Sequence, residues 1–169
     1  MTSSSTQARR LAVGEWTVVG ATVLLAVASL LTWYRLPSNV VLDAGTSARA
    51  FTAWSGGFSP TTLLPLVFGL AIAVPTVLGR LADLQLPERI GGIRCTQLRL
   101  ILAAGALLLA ISEVATQRAY GPVSLQRGPG LWLTLLASCA LLVGVVLDHR
   151  AAASPPTPPT TSSNDLTGT

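Results

Sequence analysis

Apolar residues in this chain come in long unbroken runs that neither alternate nor keep to one helical stripe. Trp16 to Tyr34 and Thr61 to Gly79 are each nineteen residues without a charge, and Gly128 to Leu147 is twenty. A fourth run has a shorter uncharged core, Leu100 to Ser112. Leu98 and Val114 to Gln117 extend it, with Arg99 and Glu113 near its two ends. A helix needs roughly 20 apolar residues to cross a bilayer. Only helices and closed barrels satisfy every backbone group in hydrocarbon. Continuous runs favour helices, so the pattern predicts four of them, at about 16–34, 61–79, 98–117 and 128–147.

Composition agrees. Of 169 residues, 50% are hydrophobic and 11% charged, and the mean hydropathy is +0.60. A soluble domain carries about 25% charged residues; this chain lacks the charge to cover a water-facing surface of its size, which argues against an ordinary soluble enzyme. The expected fold class is all-α, a polytopic membrane protein with a four-transmembrane-helix bundle and disordered tails. Residues 1–10 are expected as a disordered cytoplasmic tail, 11–150 as the transmembrane domain, and 151–169 as a disordered Pro/Thr/Ser-rich cytoplasmic tail. Pro155-Pro156 and Pro158-Pro159 favour extended, solvated backbone there.

Charge sets the orientation. All eleven basic residues are arginine, and the formal charge is +4. Arg9, Arg10, Arg80, Arg89, Arg94, Arg99 and Arg150 fall on one side of the four spans, and Arg35, Arg49, Arg118 and Arg127 on the other. Cytoplasmic loops carry the arginine excess, so seven against four places both termini in the cytoplasm of a multi-pass plasma-membrane protein. A cleaved signal peptide is the rival for the first run, with Arg9-Arg10 before it and Ala26-Val27-Ala28 as a cleavage site; the run continues past that point to Trp33, which suits a spanning helix better. No basic cluster could neutralise consecutive phosphates, so nucleic-acid binding has no support.

Candidate chemistry is sparse. Trp33 and Tyr34 close the first run, and the long loop after it holds Phe51, Trp54 and Phe58. These aromatics read as a belt at headgroup level, with a short helix lying on the membrane around 47–54; the functional reading is a lipid- or partner-binding lip. Trp16 and Trp132 fit the same belt. Pro65 belongs to the first turn of its helix, whereas Pro75 is interior and predicts a kink. Small residues four apart (Thr22 and Ala26, Gly69 and Ala73, Ala106 and Ala110, Ala140 and Gly144) mark faces where helices approach closely. Glu113 is the one acid that could lie in the bilayer, where carboxylates move protons or bind cations; its position at a helix end reads as a boundary residue in contact with solvent. Asp148 and His149 are expected to be solvated, and the single histidine leaves no histidine-based metal site. Cys95 and Cys139 lack disulfide or zinc spacing. The loop from Arg80 to Arg99 is amphipathic, suited to anionic headgroups or to a partner helix. Phosphate-binding, nucleophile-elbow and zinc-protease motifs are all missing. The expected catalytic, cofactor-binding and metal residues are therefore none, with no cofactor.

The arrangement resembles small uncharacterised four-helix integral membrane proteins of high-GC actinobacteria. The residues that carry the likeness are Trp33-Tyr34, Ala53-Trp54 and Gly128-Pro129-Gly130-Leu131-Trp132-Leu133, with Gly144, over roughly 11–150. The resemblance implies topology and host and no activity. The functional expectation is a non-enzymatic accessory or scaffolding component of the cell envelope. The alternative is a small transporter or channel subunit. Partners are membrane lipids and a membrane protein or a second copy bound through the small-residue faces.

Overall fold

A computed structural model describes residues 13–37, 50–55, 61–81, 89–90, 93–116, 119–120 and 123–153. Four helices dominate it: α1 (Val13–Leu30), α2 (Leu64–Leu81), α3 (Cys95–Ala115) and α4 (Pro129–Ala153). Between them run short strands: β1 (Thr32–Arg35), β2 (Ala50–Thr52), β3 (Arg89–Ile90), β4 (Ile93–Arg94), β5 (Ala119–Tyr120), β6 (Val123–Ser124) and β7 (Gln126–Arg127). The fold is thus mostly helical with added β structure, which an all-α expectation omits. Strands β2, β1 and β7 form one antiparallel sheet in that order, and β3–β4 and β5–β6 are two-stranded ribbons.

The helices form a ring: α1 packs on α2 and α4, and α3 packs on α2 and α4. Gly14 at the start of α1 lies against Gly144 and Asp148 near the end of α4, while Gly130 at the start of α4 lies against Trp33 just beyond α1. α1 and α4 are therefore antiparallel. A Cβ on Gly14 would come within 2.9 Å of the Gly144 carbonyl oxygen, and one on Gly144 within 3.1 Å of the Val18 backbone nitrogen. Glycine at these two positions lets the backbones touch, as in close membrane-helix pairs. Of the other small-residue positions, Gly69 meets Thr22 and Leu25, Ala73, Ala106 and Ala110 are buried, and Ala26 and Ala140 are half-buried. Leu25, Ile72 and Leu141 fill the axis between them.

Three buried hydroxyls inside the bundle turn back onto their own helices, that of Thr22 also reaching the Gly69 carbonyl on α2 at 3.2 Å, whereas that of Ser138 has no partner among the described residues. The hydroxyls of Thr22, Thr76 and Thr134 donate to the carbonyls of Val18, Ile72 and Gly130 at 2.8–2.9 Å. That arrangement suits surroundings without water. The outward faces are apolar too: Leu30, Val67, Ile101, Leu108, Leu136 and Val143 are between 53% and 71% exposed. Among the described residues, three helices are long and apolar enough to cross a membrane, namely Val13–Leu30, Cys95–Ala115 and Pro129–Ala151; α2 is apolar over the shorter stretch Leu64–Gly79.

Helix limits differ from expectation for local reasons. The first helix stops at Leu30, not at 34. The Trp33 indole N–H donates to the Ala28 carbonyl at 2.8 Å and the Ser29 hydroxyl to the Ala26 carbonyl at 2.7 Å, so the last turn is closed by side chains. α2 begins three residues late, because Thr61–Leu63 form a turn in which the Thr62 hydroxyl donates to the Ala53 carbonyl at 2.9 Å. α3 spans 95–115 and ends where Thr116 turns extended, at φ −79° and ψ 125°. α4 starts on Pro129, whose missing N–H costs nothing in a first turn, and continues beyond Leu147 through Ala153. Ala151–Ala153 are therefore helical, not part of a disordered tail. Residues 1–12 and 154–169, with the rest of the expected tails, lie outside the described residues.

Candidate functional site

The end of the bundle that carries the three-stranded sheet holds the polar chemistry. Antiparallel β1 pairs Thr32 with Thr52, Tyr34 with Phe51 and Arg35 with Ala50, and the register shifts between Thr32 and Tyr34. A regular strand would send Trp33 and Tyr34 to opposite faces. The register shift between Thr32 and Tyr34 lets both turn inward, and they are 2% and 1% exposed. With Leu36, Ala53, Leu125 and Leu131 they form a second core above the helices. This corrects two expectations. Trp33 and Tyr34 are core residues, not belt residues, and Ala50–Thr52 is a strand where a surface helix was expected across 47–54.

Gly128 and Gly130 make this closure possible. The Gly128 N–H donates to the Trp33 carbonyl at 2.6 Å. A Cβ on Gly128 would overlap the Thr32 carbonyl oxygen, and one on Gly130 would sit 2.7 Å from Trp33 Cδ1 and 3.0 Å from the Ala28 carbonyl oxygen. The Gly-Pro-Gly start of α4 thus reflects a close approach to β1 on both sides of the proline.

Beneath the cap, the Tyr34 hydroxyl donates to Glu113 Oε2 at 3.0 Å. Glu113 is 5% exposed, so it is buried at the end of α3 and not the solvated boundary residue expected of it. This bond ties one carboxyl oxygen of Glu113, and with it the end of α3, to β1. Beside this pair opens a recess of about 340 Å³ lined by Tyr34, Thr116, Ser124, Leu125, Gln126, Arg127 and Trp132. Gln126 and Arg127 reach it because β7 pairs with β1, Arg127 opposite Tyr34. Trp132 projects from the first turn of α4 and is half exposed.

The remaining candidates lie apart. Trp54 is exposed beside β2, its indole N–H donating to the Ser29 hydroxyl at 3.2 Å. Phe51 packs against the cap; Phe58 and Arg118 lie outside the described residues. Trp16 is exposed at the start of α1. At the far end of the bundle, Arg99 and Asp148 form a loose ion pair at 3.5 Å that ties α3 to α4, and His149 is exposed. Pro75 stands inside a continuous α2. Cys95 opens α3, and Cys139 is exposed on α4. Sequence reasoning singled out Glu113 and missed its partner. The overlooked signal was Thr32-Trp33-Tyr34, a strand-like trio before Pro37. The chain matches no family model and no curated protein.

Proposed function

We propose that this chain is an integral protein of the plasma membrane that acts without catalysis, as an accessory or scaffolding component of the cell envelope. All four helices span the bilayer, both termini are cytoplasmic, and the β2–β1–β7 cap faces outward. The supporting observation is the apolar girdle, where Leu108 and Leu136 are as exposed as surface residues while the axis is equally apolar. Monomeric soluble proteins rarely show apolar patches beyond a few hundred Å²; hydrocarbon is the solvent this surface fits. α2 joins as the fourth span because it packs at the same depth as its neighbours, with Gly69 on Thr22 and Leu25, and Phe68 on Gly105. Its apolar stretch, Leu64–Gly79, measures roughly 24 Å at 1.5 Å per residue, a mismatch that local thinning of the bilayer absorbs.

Scaffolding is favoured because the polar side chains that could do chemistry are engaged in holding elements together, Glu113 by Tyr34 and Asp148 by Arg99. Reporter fusions after residues 45, 90, 122 and 160 test the topology: the expected readout is out, in, out, in, and an identical readout at 45 and 90 removes α2 as a span. Mild-detergent pull-down is expected to recover a stoichiometric membrane partner, and a monomer that binds nothing contradicts the scaffold. The alternative, a small transporter or channel subunit, draws on Glu113 and Pro75. It requires Glu113→Gln to abolish proton-coupled flux in liposomes, whereas the scaffold reading expects no such flux in either protein.

A further inference from the structure

We infer that the recess beside Tyr34 binds a phosphate oxyanion, with Arg127 as its cation and Thr116, Ser124 and Gln126 as supporting donors. The phosphate comes from an outer-leaflet lipid headgroup or from free phosphate. The lipid source rests on the membrane reading above; the free-phosphate source does not.

Four features of the lining carry the inference. Its one formally charged residue is positive, Arg127. The nearby carboxyl group of Glu113 is not among the lining side chains and accepts a hydrogen bond from the Tyr34 hydroxyl. Three further side chains of the lining can donate: two hydroxyls and one amide. A guanidinium binds phosphate through two parallel N–H bonds and leaves the remaining oxygens to such neighbours. Finally, the walls are amphipathic: Leu125 is buried, and Trp132 is half exposed at the start of an apolar helix. A tryptophan there sits at headgroup depth. The volume, about 340 Å³, falls at the small end of ligand sites, roughly 300–1,000 Å³, and suits a headgroup rather than an acyl chain.

The test is native mass spectrometry of the full chain in detergent. It is titrated with phosphatidylglycerol and with diacylglycerol of identical chains, which lacks the phosphate, with and without millimolar inorganic phosphate. Phosphatidylglycerol is expected to be retained about tenfold over diacylglycerol, a difference of about 1.4 kcal/mol. Arg127→Gln is expected to bring the two to parity. Arg35→Gln removes an exposed arginine one strand away and is expected to leave the preference intact. Displacement of the lipid by inorganic phosphate assigns the site to the free ion, and its persistence assigns it to the headgroup. Equal retention of both lipids by the wild type without competition by phosphate overturns the inference, as does equal loss in the two arginine variants, which reduces the effect to surface charge. Membrane residence is read separately by fractionation, so its failure and the failure of this site give different results.

Discussion

Tyr34 shows how much one side chain settles at the capped end. Its ring is buried between β1 and α3, and its hydroxyl reaches the only described buried acid at that end, Glu113. Tyr34→Phe keeps the ring and removes the donor, so the carboxylate loses a bond in a desolvated place. We expect a loss of about 1–3 kcal/mol, read as a lower thermal midpoint in detergent; an unchanged midpoint would mean that the bond contributes nothing. Gly128 is equally constrained. Gly128→Ala puts a methyl on the Thr32 carbonyl, and the resulting backbone shift should cost about 1–3 kcal/mol. Ser138 runs the other way. Its hydroxyl is fully buried in α4 with no partner among the described residues. Ser138→Ala removes an unmade hydrogen bond and is expected to raise the midpoint; a fall would show that the hydroxyl is engaged.

At the scale of elements, the helices were legible because each is a run of apolar residues long enough to be read without knowing its neighbours. Their ends were not. Helix α1 stops at Leu30, where Trp33 and Ser29 supply bonds that close it, and Gly128 and Gly130 at the start of α4 pack against Thr32 and Trp33. In the one-dimensional pattern Thr32–Tyr34 merely lengthens an apolar run. The burial of Glu113 is hidden for the same reason: its partner is 79 positions away. Small-residue spacing did identify touching faces, most clearly between α1 and α4. Gly144→Leu should force these helices apart, since even a Cβ meets the Val18 backbone at 3.1 Å. Gly20→Leu, on the same helix as Val18 but with open space around it, serves as the control. The expected outcome is loss of monodisperse folded protein for Gly144→Leu alone. Equal yields would remove the close α1–α4 contact.

For the whole molecule, one physical circumstance ties these parts together. The bundle is apolar on its axis and apolar on its girdle, its threonine hydroxyls turn back onto their own helices, and its charged and hydrogen-bonded groups concentrate at its two ends. Such a distribution minimises free energy when hydrocarbon surrounds the middle and water bathes the ends. The recess lined by Arg127 and Trp132 then falls at the boundary between the two. The most direct measurement is fractionation of cells expressing the untagged chain, with membranes washed in alkaline carbonate and then in detergent. The protein is expected to stay in the pellet through carbonate and to enter the supernatant only with detergent. Recovery of folded, full-length protein in the aqueous fraction before detergent would contradict the account.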